Sequence, residues 1–364
     1  MQREVGSNFW LDPNQSMEDV GNFSLKSFGI DGSDYVLLST GRSGLSLVLD
    51  TIAQRYPKRN RRALLPPFTC HTVIEPFLDA GYEVGYYPVD ETLMTSTEWI
   101  EDAARKNHPT VVLFHRYFGF ETLPEMEGIL SIFRSQGIVV IEDRTQCLYS
   151  EIPPMQVDFW NGSLRKWAGL PDGGFAICRE GVLSQHPQQW DVALEQKKVK
   201  ASYAKYRYLF EGEGEKTAFL QLYREAEQLL NEESGLYAIS PTALAVQGTL
   251  NLAELKRRRR QNYQVLLDRL GSCKGIRPLF SVLPDGVVPL YFPMVVSQNR
   301  AGLQKHLAGH DIYAPIIWPR PAVLPSVCSA AETLYQEMLC IPIDQRYGMN
   351  DMAWIADVIL SYVQ

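Results

Sequence analysis

The sequence lacks several features that mark specialised protein classes. Its six cysteines include no C-x-x-C pair, which argues against a zinc ribbon and against a secreted, disulfide-rich domain. No apolar run approaches the roughly 20 residues needed to cross a bilayer, and no apolar leader follows Met1. Among the histidines, one pair, His306 and His310, has H-x-x-x-H spacing, and it has no third ligand candidate nearby, so we interpret it as structural. We therefore expect reduced thiols, no metal site, no membrane segment and a cytoplasmic location.

A large excess of positive charge is also missing. Lys and Arg number 35 against 42 Asp and Glu, which gives a net charge of −7. This acidic balance argues against nucleic acid or an anionic membrane as the partner. The basic run 256–260 falls within a predicted helix, where its charges spread around the helix and favour a solvated face or an interface. The partners expected here are small molecules.

What the sequence does contain is a regular alternation of strand-like and helix-like segments. With 364 residues, 45% hydrophobic and 21% charged, the chain can bury one large core and a smaller one. Short β-rich runs alternate with helical stretches, which predicts βαβ units and a mostly parallel sheet covered on both faces. The strand candidates are 35–40, 62–68, 82–89, 110–116, 137–143 and 173–179.

The second half of the chain predicts a change of architecture. Residues 186–232 are helical in composition, with an exposed break at 211–215. Ser240 and Pro241 form an N-cap and first-turn proline, and they open a predicted long helix that closes near Gly271. We therefore predict a large domain over 1–240 and a small one over 241–364 that begins with this linking helix. The small domain adds a strand within 287–296 and a final helix over 350–363.

Two local features stand where strands are expected to end, the edge at which open α/β sheets bind ligands. The turn 39–44 precedes a helix, so its N–H groups could hold an anion, although an ordinary tight turn fits equally well. Asp143 ends the most apolar strand and could meet a ligand cation. A carboxylate that caps the next helix is the alternative.

Two further features lie in connections of the predicted sheet. Lys166 follows the segment 162–165, and a lysine in apolar surroundings loses its proton more readily and becomes a nucleophile. A solvated loop lysine is the commoner fate. The turn 66–71 carries His71, which could stack on a planar ring or cap a helix.

Taken in order, these features resemble those of the fold-type I, pyridoxal-phosphate-dependent aminotransferases, and most closely the DegT/DnrJ/StrS sugar aminotransferases. Glu142, Asp143 and Gln146 match the E-D-x-x-Q phrase of that family. Ser163 and Lys166, followed by Gly173-Gly174, match a shortened form of its lysine segment. Segment 114–119 is similar to its V-H-x-x-G phrase, and segment 339–342 is similar to its L-x-L-P phrase. The implied fold is α/β and fold-type I transferase-like, with a mostly parallel central sheet flanked by helices and a smaller C-terminal α+β domain.

The resemblance implies roles for these residues. Lys166 would form the internal aldimine with pyridoxal 5′-phosphate and then carry protons. Asp143 would pair with the pyridine nitrogen and keep it protonated. The backbone N–H groups of Gly41, Arg42 and Ser43 would hold the phosphate together with the Ser163 hydroxyl. Gln146 would hydrogen-bond near the 3-oxygen of the ring. His71, in preference to Cys70, would stack on the face of the ring.

The resemblance also implies a function: transfer of an amino group from an amino-acid donor to a nucleotide-linked keto sugar or related keto compound, in a homodimer. One departure bears on the substrate. Family members carry an asparagine and an arginine in a G-Y-N-x-R phrase before the long helix, and the asparagine reaches the phosphate of the partner subunit. Residues 234–240 contain neither. Two alternatives stay open: a dehydratase or lyase on the same fold, and a degenerate homologue that binds cofactor or ligand without turnover.

Overall fold

The computed structural model describes residues 4–14, 25–232 and 235–363. Its strands are β1 (Val5–Gly6), β2 (Asp34–Leu38), β3 (Arg62–Leu65), β4 (Glu83–Tyr86), β5 (Val111–His115), β6 (Val139–Asp143), β7 (Phe159–Ser163), β8 (Gly174–Cys178), β9 (Ile276–Pro278), β10 (Phe292–Val296), β11 (Ile312–Tyr313) and β12 (Met338–Ile341).

The α-helices flank these strands. They are α1 (Gly41–Arg55), α2 (His71–Asp79), α3 (Thr97–Asn107), α4 (Glu127–Ser135), α5 (Val192–Tyr206), α6 (Lys216–Glu232), α7 (Pro241–Gly248), α8 (Leu252–Leu270), α9 (Arg300–Ala308), α10 (Ser329–Glu337) and α11 (Met349–Val363). A π-helical turn, Arg207–Glu211, extends α5. Within the described residues, no helix is long and apolar enough to cross a membrane.

Seven strands form the central sheet, in the order β2-β8-β7-β6-β5-β3-β4. Strand β8 runs antiparallel to both of its neighbours, and the remaining adjacent pairs are parallel. The four strands β5 to β8 are buried at every position, as strands covered on both faces must be. A three-stranded antiparallel sheet, β12-β10-β9, belongs to the C-terminal part. The predicted fold class is therefore confirmed.

All six strand candidates overlap an observed strand of the central sheet, but one strand was missed. Strand β7 lies between β6 and β8, and its sequence FWNGS carries two polar residues. Asn161 and Ser163 interrupt the apolar run that otherwise marks a buried strand. The missed strand is the one that delivers the lysine segment to the sheet edge.

The prediction of one long helix from Pro241 to Gly271 is wrong. The chain leaves the helical path after Gly248, and α8 begins at Leu252. The Asn251 side chain accepts a hydrogen bond from the Glu254 N–H group at 3.0 Å, so it caps a new helix instead of continuing the old one. The domain boundary at residue 241 stays a prediction.

Candidate active site

The carboxyl ends of β5 and β6 border a cavity of about 190 Å³, with the N-termini of α1 and α2 beside it. Predicted site residues in its wall are Gly41, Arg42, Asp143, Gln146, Ser163 and Lys166. Side chains that the sequence analysis did not assign also form the wall, among them Thr69, His115, Asn161, Glu227 and Trp318. Six of the eight predicted residues therefore meet in one place.

Two predicted residues are not in the cavity wall. His71 is the first residue of α2, its side chain is 49% exposed, and its Nδ1 atom lies 3.9 Å from Glu75 Oε2. The preceding residue, Cys70, lies in the wall instead. Ser43 is turned inward, where its N–H group donates to Thr40 Oγ1 at 2.9 Å. The structure thus does not bring His71 to the place where a ring would lie.

The N-terminus of α1 is built as an anion site. Thr40 is the N-cap residue with an extended backbone, and its hydroxyl satisfies the Ser43 N–H group. The N–H groups of Gly41 and Arg42 have no acceptor among the described residues, as the first helical turn requires. A Cβ atom on Gly174 would lie 2.1 Å from the Thr40 carbonyl carbon, so only glycine lets β8 approach this helix start.

The Arg42 side chain points away from that backbone site. Its Nη1 atom lies 3.1 Å from Glu75 Oε2, and its Nη2 atom donates to the Leu230 carbonyl at 2.5 Å. These contacts tie α1 to α2 and to the end of α6. Arg42 therefore offers its backbone N–H group to an anion, while its side chain is used to join helices.

Asp143 is the last residue of β6 and is buried. Its Oδ1 atom accepts a hydrogen bond from the Thr145 N–H group at 2.7 Å. Burial raises the pKa of Asp143, and Thr145 and the Lys166 ammonium offset part of that rise. A cation or protonated nitrogen placed beside this carboxylate would stabilise its charged form.

Lys166 lies in the turn that follows β7. Its Nζ atom has no hydrogen bond or salt bridge among the described residues, unlike many lysines of this chain. Burial lowers the pKa of Lys166, while Cys70, Asp143 and Glu227 oppose that effect. A lysine that loses its proton more easily is a stronger nucleophile. Of the two fates that the sequence left open, the structure favours the first, because Lys166 is partly buried and lines the cavity.

Gln146 and Ser163 are held by the backbone around them. The Oε1 atom of Gln146 accepts from the Phe118 N–H group at 2.6 Å, so its amide nitrogen is the group left for a ligand. The Ser163 N–H group donates to Thr145 Oγ1 at 3.0 Å. Thr145 thus links the Asp143 strand to the lysine segment.

Several polar atoms in the cavity wall are buried without a hydrogen-bond partner among the described residues. They are Thr69 Oγ1, His115 Nε2, Asn161 Oδ1 and Trp318 Nε1. Unpartnered buried polar groups are rare in folded proteins and call for an explanation such as a ligand or water. Burial lowers the pKa of His115 to about 3, so its imidazole is neutral.

Only some of these residues carried a sequence signal. His115 lies in the segment 114–119, which resembles V-H-x-x-G, but no role was assigned to it. Asn161 belongs to the missed strand β7. Trp318 comes from the distant segment between β11 and α10, and nothing local in the sequence connects it with Asp143.

Lys166 also lies in the wall of a second, larger cavity of about 660 Å³. Residues 6–9 of the N-terminal segment, Arg259, Tyr291 and Arg346 border this space. The two cavities therefore share one lysine, and the second adds cationic and aromatic side chains beside it.

No family model matches the chain, so the comparisons with known proteins concern single proteins. The chain is similar to the solved structure of PseC from Helicobacter pylori, an aminotransferase involved in the biosynthesis of pseudoaminic acid, at 13% identity, TM-score 0.70 and 99% coverage of both chains. It is similar to a DegT DnrJ EryC1 StrS aminotransferase from Brucella abortus at 17% identity and TM-score 0.63, with 93% of this chain and 87% of that chain covered.

A third solved structure belongs to a different reaction class. The E. coli GDP-4-keto-6-deoxy-D-mannose-3-dehydratase with bound hydrated PLP matches at 12% identity and TM-score 0.66, with 98% of this chain and 100% of that chain covered. In sequence, the chain is 21% identical to cysteine desulfurase IscS of Dictyoglomus turgidum over 229 residues. That alignment covers 61% of this chain and only 58% of the relative.

These likenesses define the class by its fold. The chain has the fold of the pyridoxal-phosphate-type aminotransferases, and it shares that fold over nearly its whole length with a DegT DnrJ EryC1 StrS protein. The resemblance inferred from the motifs is thus confirmed at the level of the fold.

Proposed function

We propose that the protein is a pyridoxal-phosphate-dependent aminotransferase. The observation that carries the proposal is the meeting of Asp143, Lys166 and the N–H groups at the start of α1 in one buried cavity. Pyridoxal phosphate is a planar ring with a basic nitrogen, which needs a carboxylate, and an aldehyde, which needs an amine. Its phosphate needs an anion site. The unpartnered polar atoms in the cavity wall fit a cavity built for a polar ligand.

The residues would divide the binding of this cofactor among themselves. Gly41 and Arg42 would hold the phosphate through their N–H groups, together with the Ser163 hydroxyl. The Gln146 amide nitrogen would donate to the ring oxygen. His115 and Trp318 form an aromatic wall, with ring centroids 5.7 Å apart in an edge-to-face arrangement, and they would shield one side of the bound ring from water.

When bound, pyridoxal phosphate supplies an electron sink for the negative charge left when a proton leaves the substrate carbon. Asp143 would hold a proton at the ring nitrogen and so keep that sink effective. Lys166 Nζ would take the proton from the substrate carbon and return it elsewhere, a role that its lowered pKa favours. Burial of the site strengthens each of these electrostatic contacts.

The substrate side of the proposal rests on similarity and on the second cavity. PseC belongs to the biosynthesis of pseudoaminic acid, so a keto sugar, nucleotide-linked or free, is the proposed amino acceptor, with an amino acid such as glutamate as donor. The second cavity borders Lys166 and offers room for a substrate. Its Arg346 is paired with Asp344, whereas Lys305 in the same wall has no salt bridge among the described residues.

A dehydratase is the second candidate, because the dehydratase structure matches as well as the aminotransferases do. Fold alone does not determine the reaction. The fate of the donor nitrogen separates the two candidates, because a keto sugar can form an imine only with the aminated cofactor and both reactions therefore consume an amino acid. An aminotransferase leaves the amino group on the product. Release of that nitrogen as ammonia, with a keto product that has lost a hydroxyl group, would favour the dehydratase.

We also propose that the protein works as a homodimer. The proposal rests on the resemblance, since the family builds each phosphate site from two chains. The described segment 235–240 contains neither the asparagine nor the arginine of the family phrase, so either another group completes the phosphate site or the affinity for the cofactor is lower. Light scattering on the purified full chain at micromolar concentration should give twice the 41.3 kDa chain mass. A monodisperse species of the single-chain mass would contradict this part of the proposal.

The direct test of the cofactor assignment is covalent trapping. After incubation with pyridoxal phosphate and reduction with borohydride, peptide mass mapping should place a phosphopyridoxyl group on the peptide that contains Lys166. Lys166→Ala should lose the label and the activity. Lys256→Ala is the matched control, since Lys256 lies on α8 and its Nζ atom pairs, among the described residues, with Glu151 alone at 3.5 Å. A label on another lysine would overturn the assignment.

A further inference from the structure

The residue after the proposed catalytic lysine is held from two sides. The indole N–H group of Trp167 donates to the Thr145 carbonyl at 2.8 Å. Its own carbonyl accepts two hydrogen bonds from a distant part of the chain, one from Gln345 Nε2 at 2.8 Å and one from Arg259 Nη2 at 3.2 Å. Trp167 is fully buried, so the backbone next to Lys166 is fixed at this point.

Arg259 makes an uncommon set of contacts for a buried cation. It is 1% exposed, and it forms no salt bridge among the described residues. Its hydrogen bonds go to the Gln345 side-chain oxygen at 3.1 Å and to the backbone carbonyls of Trp167, Leu290 and Pro289. Its guanidinium carbon lies 4.7 Å from the centre of the Trp167 ring.

Burying a guanidinium is costly, and the nearby Asp344 carboxylate offsets only part of that cost. Burial lowers the pKa of Arg259 to about 10, which reflects that cost. The planar fork of arginine is needed here because it reaches several acceptors at once. An apolar side chain would fill the same space at a lower desolvation cost. The arginine is therefore explained by the carbonyl groups that it holds in place.

We propose that Arg259 and Gln345 are positioning residues for Lys166. They hold the Trp167 carbonyl from α8 and from the segment after β12, and they thereby keep the Lys166 amine inside the cavity. The catalytic use of Lys166 rests on the proposed function. The hydrogen bonds that hold the Trp167 carbonyl are present in the chain without cofactor.

The charged and titratable groups that face Lys166 come from several elements. They are Asp143 at the end of β6, Cys70 before α2, Glu227 on α6 and the neighbouring Arg165. None of them is in hydrogen-bond contact with Arg259 or Gln345. Arg259, Lys305, Asp344 and Arg346 also share the wall of the second cavity with Lys166, so the variants must not change the charge there. Arg259→Lys keeps the positive charge and Gln345→Leu replaces a neutral side chain, so either change reaches the amine through the backbone of Trp167. Its measurable sign is a change in how far Lys166 is buried.

The test measures the amine in the cofactor-free protein. Trace acetylation of the full chain over a series of pH values, with peptide mass spectrometry, gives the protonation midpoint of Lys166 relative to the exposed Lys58. We expect the wild-type midpoint to lie below that of Lys58. In Gln345→Leu and Arg259→Lys it should move upward, because a less buried ammonium is better solvated. Arg257→Gln, on the same helix but paired only at the surface with Glu254 and Gln261, should leave it unchanged.

A second readout uses added pyridoxal phosphate. The rate of covalent attachment near neutral pH should fall tenfold for each unit by which the midpoint rises, since only the neutral amine reacts. If Arg259→Lys fails to fold, Gln345→Leu carries the test, because it removes one of the two donors to the Trp167 carbonyl. Lower thermal stability with an unchanged Lys166 midpoint and attachment rate in the folded variants would overturn the proposal.

The two proposals can fail separately. A shifted Lys166 midpoint together with trapping of the cofactor on another lysine would leave the positioning role intact and remove the catalytic one. Trapping of the cofactor on Lys166, with the same Lys166 protonation midpoint in all variants, would leave the catalytic role intact and remove the positioning role.

Discussion

His115 and Asp143 are direct partners on the adjacent parallel strands β5 and β6. Because paired residues in a parallel sheet present their side chains on the same face, a neutral imidazole and a carboxylate stand side by side at the cavity wall. The imidazole brings no charge to compete with a ligand cation at Asp143. The pair therefore combines an aromatic surface with a single negative charge.

The buried imidazole makes stability depend on pH. With the pKa of His115 lowered to about 3 by burial, the unfolded chain binds a proton below pH 6.5 that the folded chain does not. The free energy of unfolding should therefore fall as the pH drops from 6.5 toward 3, by about 1.4 kcal/mol per unit from this residue. Urea unfolding of His115→Phe should show a weaker dependence than wild type. The exposed-site variant His310→Gln should match wild type, and an equal slope in all three would contradict the assignment.

Replacing Asp143 by asparagine should separate binding from catalysis. An amide cannot balance a positive charge at the ring nitrogen, and a charge-assisted hydrogen bond contributes about 1.5–3 kcal/mol. We expect Asp143→Asn to bind pyridoxal phosphate more weakly by that amount and to lose more in the proton-transfer step, where charge develops. Stopped-flow absorbance with L-glutamate as donor measures that step. An unchanged half-reaction rate would remove Asp143 from this role.

Glu142 should be a stability residue with no direct part in the chemistry. It is fully buried between Arg116 and Arg144, and its Oε2 atom accepts from the Met155 N–H group at 2.8 Å. Glu142→Gln leaves the buried Arg144 without a carboxylate partner and leaves Arg116 with Glu121 alone, which should cost about 3–5 kcal/mol in urea unfolding. Glu121→Gln is the control: this carboxylate also pairs with Arg116 but is 41% exposed, and its loss should cost at most about 1 kcal/mol.

The close approach of β8 to the start of α1 can be tested by adding one methyl group. In Gly174→Ala the new Cβ atom would lie 2.1 Å from the Thr40 carbonyl carbon, so the helix start must move. We expect lower stability and weaker binding of pyridoxal phosphate, measured by fluorescence titration. Gly128→Ala in α4 meets no atom within 4 Å and should be neutral or stabilising, by up to about 1 kcal/mol. Equal affinity in both variants would exclude α1 as the anion site.

Much of the site could be predicted because its signals are local. Asp143 directly follows an apolar run, and Lys166 lies between a serine and a glycine pair in a recognisable order. A strand buried on both faces must be apolar, so β5 and β6 were visible in the sequence. Strand β7 was not, because its polar residues point into the site that it helps to build.

The amino-acid sequence by itself determined the fold class and six of the seven strands of the central sheet, and its resemblance to a known family supplied the two residues proposed for catalysis. Only the tertiary structure decided that α7 and α8 are separate helices, that Cys70 and His115 border the cavity while His71 faces solvent, and that Trp318 and Arg259 reach the site from far along the chain. The physical reason is range: hydrophobic periodicity and capping act over a few residues, whereas burial, cavity walls and hydrogen bonds between Arg259 and Trp167 exist only once distant segments pack together.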